Sequence, residues 1–263
     1  MKDSLTLLSL LLFVLSFTGC ANNDPSINAT RLRINLTDAA TLVVSEFNVD
    51  IQKIEVATTD NTSDEEKWTT LDFNGGVFDV LPLSNGKSKQ ITDQYFPAGV
   101  MRKIKITFGN NSTLATSTGV KPLVLDPEVK DGVVVEVNTN LYANYVTSIM
   151  VDINAALSFY ELNGNYFFKP VLRVFPETFG GSLKGYALPL EAAPVVVIVK
   201  DEDTLLTLPE RSDGMFLFKG LKEGDWKILV YSTTDLGYRD TLFVDTVFTG
   251  KTRELKSKIV LKR

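Results

Sequence analysis

The residues that could carry chemistry in this sequence are mainly carboxylates, because the chain of 263 residues contains no histidine and a single cysteine, Cys20. A Ser-His-Asp triad, a Cys-His dyad and a histidine-ligated zinc or iron site all need an imidazole, so none of them can be built. Carboxylate pairs, a Ser-Lys pair and oxygen-ligated metals are the chemistries that remain.

Two acidic runs are candidates for binding a cation such as calcium. Residues 60–66 read Asp-Asn-Thr-Ser-Asp-Glu-Glu, and residues 201–203 read Asp-Glu-Asp. Calcium loops place oxygen ligands at alternating positions and need a glycine at the sharp turn, and neither run has that spacing. We therefore expect solvated loops, the second at a hairpin tip, and we predict no metal site and no cofactor.

Asp152 and Glu136 are the acids best placed for acid–base work, since each lies in or beside a predicted strand. A glycoside hydrolase would need two such carboxyl groups about 5–10 Å apart across a cleft. No motif brings these two together, so we predict no catalytic residue. A carboxylate-based glycan-processing enzyme remains the alternative class.

Aromatic side chains beside turns are the remaining candidates for contacting a ligand. Tyr142, Tyr145 and Tyr160 flank Ala-Asn and Leu-Asn-Gly turns, so we expect them to be accessible at loop ends, away from any membrane anchor. Trp68 and Trp226 fall in strand patterns and are predicted to pack in the core. The three tyrosines are therefore the candidate binding residues, for a glycan or for a partner protein.

Cys20 closes a segment that has the order of an export signal. Lys2 precedes an apolar stretch from Leu5 to Phe17, which is too short to cross a bilayer comfortably, and small residues precede the cysteine. The segment resembles the lipobox of bacterial lipoproteins. The resemblance implies removal of residues 1–19, a diacylglycerol on Cys20 and a polar tether over residues 20–29.

The expected location is the bacterial envelope, with a lipid anchor in the outer membrane. Signals for surface export place acidic residues directly after the cysteine, and residues 21–23 are Ala-Asn-Asn. Both the periplasmic and the outer face of that membrane therefore remain as alternatives.

Alternation with a period of two dominates the rest of the chain and predicts an all-β protein. Leu32, Ile34 and Leu36 alternate with polar residues, and a slip of phase at residues 52–53 predicts a β-bulge. A further long strand is predicted over residues 166–174.

Pro176 and Gly180-Gly181 predict a boundary between two β-sandwich domains, residues 30–176 and 181–263. The net charge is −5, and neither predicted domain has the basic excess that nucleic-acid binding requires. We therefore predict no nucleic-acid partner.

The first domain is similar to the domain-of-unknown-function (DUF) family 4382, which is common in envelope lipoproteins of the Bacteroidetes type. The segments that carry the likeness are Leu36–Ala40, Trp68–Leu71, Phe78–Gly86, Phe96–Ile104, Val151–Ala155 and Phe168–Val174. The likeness covers about residues 30–176. It implies a fold and an envelope location, with no established activity.

Residues 213–226, which read Asp-Gly-Met-Phe-Leu-Phe-Lys-Gly-Leu-Lys-Glu-Gly-Asp-Trp, resemble a carboxypeptidase-regulatory-like domain. That family has a transthyretin-like sandwich and typically serves as a structural or interaction module. Both resemblances imply a non-catalytic envelope lipoprotein that acts through binding or as a structural part.

Overall fold

The structure, a computed structural model, describes residues 28–39, 44–59 and 65–263, and its regular elements are nearly all β-strands. The predicted export signal, Cys20 and most of the predicted tether lie outside the described residues. Within the described ranges, no helix combines the length and the apolar character that a membrane span needs. The prediction of an all-β protein is confirmed.

The first part of the chain, residues 29–176, forms two sheets. Their strand orders are β13-β10-β1-β5 and β11-β12-β8-β7-β2-β6-β9, and β3 and β4 also pair with β2. The strands are β1 (Ala29–Ala39), β2 (Glu46–Thr59), β3 (Lys67–Thr70), β4 (Gly76–Asp79), β5 (Lys89–Pro97), β6 (Gly99–Phe108), β7 (Thr113–Thr116), β8 (Gly119–Leu125), β9 (Val133–Leu141), β10 (Val146–Asn154), β11 (Phe159–Leu162), β12 (Asn165–Phe168) and β13 (Leu172–Pro176).

One hydrophobic core lies between these two sheets. The alternation on β1 places Leu32, Ile34 and Leu36 in this core, and each is fully buried. The predicted bulge is present, because the pairing of β2 with β6 shifts register between Ile51 and Lys53. The shift keeps apolar residues on the core face along a strand of 14 residues.

The prediction of one long strand over residues 166–174 is wrong, because the chain there forms two strands that belong to different sheets. Strand β12 pairs with β8 and β11, whereas β13 pairs with β10. Pro170 lies between them, and proline lacks the N–H that would continue a ladder. The break lets β13 cross to the other sheet.

The second part of the chain, residues 181–263, also forms two sheets around a core of its own. Strand β14 pairs with β17, β20 and β21, and the other sheet has the order β16-β15-β18-β19. The strands are β14 (Gly181–Leu188), β15 (Pro194–Lys200), β16 (Asp203–Thr207), β17 (Met215–Leu221), β18 (Gly224–Ser232), β19 (Thr241–Val247), β20 (Thr252–Glu254) and β21 (Ile259–Val260).

The second part packs against the outer face of the sheet β13-β10-β1-β5. Along β10, Ile149, Val151 and Ile153 face the first core, so Met150 and Asp152 point to the opposite face. Both are nevertheless buried, at 2% and 5% exposure, because residues of β16 and β17 cover them. The covered face is called the joint below.

Candidate functional site

Arg173 ties the two parts of the chain together at the joint. It lies on β13, and its Nε and Nη2 atoms donate hydrogen bonds to Asp152 Oδ2 at 3.1 and 2.7 Å. Nη1 and Nη2 also donate across the joint to the carbonyl oxygens of Gly220 and Lys219, at 2.9 and 3.1 Å. The guanidinium therefore links a buried carboxylate of the first part to the main chain of the second.

Asn85 forms a second tie across the joint. Its side-chain Nδ2 donates to Leu208 O at 2.8 Å, and its Oδ1 accepts from Thr207 Oγ1 at 3.0 Å and from the Leu217 N–H at 3.3 Å. Gly86 follows with φ of +79°, and a Cβ there would lie 2.6 Å from Leu217 Cδ2. This close approach of the two parts requires glycine.

Two buried carboxylates lie beside the Arg173 tie. Asp38 and Asp152 are 7% and 5% exposed, and both line a cavity of about 30 Å³, which has room for about one or two water molecules. Asp38 Oδ1 accepts a hydrogen bond from the Ala155 N–H at 3.2 Å. Among the described residues, neither Asp38 Oδ2 nor Asp152 Oδ1 has a hydrogen-bond partner.

Burial raises the pKa of Asp38 well above its ordinary value, and the Asp152 carboxylate raises it further. The hydrogen bond from the Ala155 N–H lowers the pKa but does not offset those effects. Two carboxyl groups close together are also the arrangement of aspartic proteases. Here the second part of the chain covers the pair, and the cavity is too small for a substrate. The geometry therefore suits a structural role in the joint.

We expect the substitution Asp38→Asn to stabilise the protein at and above neutral pH. Because the folded state raises the pKa of Asp38, the folded protein binds the proton more tightly than the unfolded chain. Stability from this group is therefore fully present below the ordinary pKa and is lost as pH rises through the raised value. An asparagine cannot ionise, so the variant does not lose stability in this way. The expected gain at pH 8 is about 1–3 kcal/mol, measured by urea unfolding.

The control for this prediction is Asp93→Asn, which should have the opposite sign. Hydrogen bonds from Arg31 and the charges of Arg31 and Arg33 lower the pKa of Asp93. That group contributes stability above its ordinary pKa, so its loss should cost about 0.2–1 kcal/mol at pH 8. If Asp38→Asn also destabilises the protein at pH 8, the raised pKa of Asp38 in the folded protein is contradicted.

The acids considered for catalysis do not form a facing pair. Asp152 lies on β10 and is held by Arg173, whereas Glu136 is an exposed residue of β9 in the other sheet. The cross-strand neighbour of Glu136 is Lys103. The separation of the two acids between sheets excludes this pair as the facing carboxyl groups of a glycosidase.

The structure brings together two of the three candidate tyrosines. The Tyr142 and Tyr145 rings meet edge to face at 6.2 Å, and they are 60% and 68% exposed. Tyr160 lies on β11, at the edge of the sheet opposite β9. It donates a hydrogen bond to Asp126 Oδ2 at 2.9 Å and stacks on Phe167. The three tyrosines therefore do not form one surface.

The two tryptophans behave differently. Trp226 is buried in the second core as predicted, and its Nε1 donates to Lys222 O at 2.9 Å. The core prediction for Trp68 is wrong, because this residue is 41% exposed. Strand β3 has only four residues and, among the described residues, pairs with β2 alone, so it lies at an edge of the sheet.

The acidic runs lie in loops in the described part of the chain. Residues 201–202 form the tip of the hairpin between β15 and β16, as predicted, and Asp203 pairs with Lys222 at 2.8 Å. Of the first run, residues 60–64 lie outside the described residues, and Glu66 pairs with Lys103 at 2.9 Å. Within the described ranges, no three acidic, cysteine or histidine side chains come together as a metal site.

Comparison with known families identifies the first part of the chain. Residues 29–170 match the model of the family described as Domain of unknown function (DUF4382), which is more than half of the chain. The chain belongs to the DUF4382 family. Among curated proteins, no sequence is significantly similar to it. The match ends before the second part, whose resemblance to carboxypeptidase-regulatory-like domains stays a prediction.

Solved structures resemble this DUF4382 protein only distantly. The Bacillus anthracis TIE protein is 14% identical with a TM-score of 0.27, over 83% of this chain and 35% of its own. This chain thus spans about a third of the TIE protein. The shaft pilin spaA from Lactobacillus rhamnosus GG is 9% identical with a TM-score of 0.26, over 89% and 97%. A putative adhesin from Bacteroides ovatus ATCC 8483 is 12% identical with a TM-score of 0.23, over 94% and 98%. At such low similarity these structures carry no argument about function.

The sequence patterns did not single out Asp38, Asn85 or Arg173, and they pointed to Asp152 only as a candidate for acid–base chemistry. Asp38, Asn85, Asp152 and Arg173 all fall within segments that carry the DUF4382 likeness, far apart along the chain. A charged or amide side chain inside an otherwise apolar strand pattern was the available signal. It indicates a buried polar contact, but it does not name the partner strand.

Proposed function

We propose that this protein is a lipid-anchored, non-catalytic module of the bacterial outer membrane, in which two β domains are held in one fixed orientation. The observation that carries the proposal is the joint. Ordinary domain interfaces permit relative motion unless they are large or specifically bonded. Here Arg173 and Asn85 make four hydrogen bonds between the two parts, which are wholly or partly buried.

A fixed joint suits a structural or presenting role. Arg173 forms hydrogen bonds with both parts of the chain. At the exposed rim of the joint, Lys87 of the first part forms an ion pair with Glu210 of the second, at 2.7 Å. Asp38 and Asp152 are 7% and 5% exposed, so little of either carboxyl group is open to a substrate. A protein of this kind holds a binding face at a set distance and angle from its anchor.

The finer part of the proposal concerns the partner, a glycan or an envelope protein. Support comes from an exposed apolar stripe on the sheet face, where Tyr160, Phe167 and Val124 are neighbours in register on β11, β12 and β8. Tyr160 and Val124 are 40% and 50% exposed. Tyrosine rings supply flat apolar area with a polar tip, which both partner classes use.

We expect Cys20→Ser to leave an unlipidated precursor. Serine lacks the nucleophilic sulfur that accepts the diacylglycerol, so the anchor cannot form. Cells that express either protein would be labelled with a clickable palmitate, and the label on the purified protein would be measured. Wild type should carry the label, and the variant should lose nearly all of it.

Fractionation gives the second readout of this experiment. Wild type should sediment with outer membranes, and Cys20→Ser should not. A variant with an exposed serine-for-threonine change, Thr178→Ser, serves as the control for handling and expression. Equal palmitate label on wild type and Cys20→Ser would contradict the lipoprotein part of the proposal.

A further inference from the structure

The turn that carries Tyr142 and Tyr145 is held against the beginning of the first strand. The Asn144 N–H donates to Ala29 O at 2.8 Å, and the Arg31 N–H donates to Tyr145 O at 2.8 Å. Thr30 Oγ1 donates to the same carbonyl at 3.0 Å. These tyrosines therefore lie where the chain from Cys20 joins the fold. This placement is opposite to the expectation that they face away from the anchor.

Four exposed side chains form what is called the tyrosine patch at this end of the sandwich. Tyr142, Tyr145, Val146 and Tyr95 are 60%, 68%, 52% and 51% exposed. Val146 and Tyr95 flank Arg31 in register on the neighbouring strands β10 and β5, so they belong to one outward-facing row. Tyrosine, with an apolar ring and a polar hydroxyl, is enriched where proteins meet the interface of a membrane.

The length of chain between Cys20 and Ala29 limits how far this patch can lie from a lipid on Cys20. The two residues are nine peptide links apart, which is at most roughly 32 Å when fully extended. A patch at the start of β1 is therefore always within reach of the bilayer surface.

We propose that the tyrosine patch sits in the headgroup region of the phospholipid bilayer that holds the Cys20 lipid. The inference rests on the proposed lipid anchor and adds an orientation to it. Strand β10 runs from Val146 at the patch to Asp152 at the joint, six residues further along, which is a distance of about 20 Å. The part of the joint around Asp152 would thus be held away from the membrane.

Charge should contribute little to the affinity of the tyrosine patch for the bilayer. Arg31, the basic residue within the patch, is paired with Asp93 at 2.6 Å. Burial of apolar ring area is then the main source of affinity, and apolar burial is only weakly sensitive to salt. A neutral phosphatidylcholine surface should therefore support the contact as well at high salt as at low salt.

The test places a tryptophan in the patch and measures its depth in a membrane. Full-length lipidated protein carrying Trp68→Phe and Tyr145→Trp would be reconstituted into phosphatidylcholine vesicles with or without brominated acyl chains. Trp226 is 1% exposed and supplies only a constant background. The tryptophan emission from position 145 should be weaker in vesicles with brominated chains than in vesicles without them. In both kinds of vesicle the emission should be shifted to the blue relative to Cys20→Ser protein in detergent-free buffer.

The matched control is Leu157→Trp in the same background. Leu157 is 60% exposed, close to the 68% of Tyr145, and it follows the other end of β10. Its emission should be the same with both kinds of vesicle. Tyr142→Trp is a second patch variant and should repeat the result of Tyr145→Trp.

The outcomes separate the inference from the proposed anchor. Quenching at positions 145 and 142 but not at 157 supports the inference. Vesicle-bound protein without quenching at 145, or with equal quenching at 145 and 157, overturns the tyrosine contact and leaves the anchor standing. If neither wild-type protein nor Cys20→Ser binds to the vesicles, both the lipid anchor and the tyrosine contact are overturned.

Discussion

Replacing Arg173 with alanine is expected to destabilise the protein by about 3–5 kcal/mol. The substitution leaves Asp152, whose side chain is 6% exposed, as a buried charge without its partner. It also removes the donors to the carbonyl oxygens of Lys219 and Gly220. Urea unfolding, followed by circular dichroism, measures the loss.

The same variant should loosen the joint before it unfolds either core. Spin labels on cysteines at Val120 and Leu242, which are 66% and 67% exposed and lie on different parts, report the distance between the parts. In the Cys20→Ser background these are the only two thiols, because the chain has one cysteine. Wild type should give a narrow distance distribution, and Arg173→Ala a broad one.

The control is Arg253→Ala, which removes an ion pair of similar geometry inside the second part. Arg253 has the same side-chain exposure as Arg173, 32%, and its partner Asp245 is 16% exposed. We expect a much smaller loss of stability than for Arg173→Ala, because exposed ion pairs contribute little, and an unchanged distance distribution.

A double variant separates two contributions to the loss of stability, the unpaired charge of Asp152 and the hydrogen bonds that Arg173 no longer makes. Asp152→Asn combined with Arg173→Ala should recover part of the stability, since the buried charge is then gone. Equal effects of Arg173→Ala and Arg253→Ala on stability and distance would show that the joint is not held by Arg173.

The Gly220→Ala variant should lose about 2–5 kcal/mol, from two additive causes. Gly220 has φ of +63°, which costs an alanine backbone energy, and its added Cβ would overlap the Phe175 ring. Phe175 is 5% exposed at the joint and cannot move into solvent without uncovering it. Thermal and urea unfolding would measure the loss.

Gly237→Ala is the control for the backbone contribution alone. Gly237 has φ of +79°, and no described atom lies within 4 Å of its added Cβ. Its expected loss is about 1–2 kcal/mol. Phe175→Leu in the Gly220→Ala background should restore part of the difference by making room. A loss for Gly220→Ala no larger than that for Gly237→Ala would mean that the Phe175 contact does not constrain the joint.

Local patterns in the sequence were sufficient for the class of fold and for several details. Alternation over Leu32, Ile34 and Leu36 predicted a half-buried strand, because side chains on a strand alternate between faces. The slip at residues 52–53 predicted the bulge for the same reason, since one extra residue inverts the faces. These features depend only on neighbours along the chain.

Features that depend on strand pairing were predicted less well. The sequence pattern of β3 is that of a core strand, yet Trp68 is exposed, because no element in the described part of the chain covers that side of β3. The apolar run around Pro170 reads as one strand, and only the pairing shows that its halves belong to different sheets. Coverage by another element cannot be read from the covered segment itself.

The sequence by itself determined the chemistry that this protein lacks and its all-β class. Without histidine and with one cysteine, whole classes of active site are excluded whatever the fold. Only the tertiary structure decided that Asp38, Asp152 and Arg173 meet at a joint and that Tyr145 lies beside Ala29. The physical reason is sequence separation, because these contacts join residues 21 to 135 positions apart, and no local periodicity records which distant strand will lie alongside.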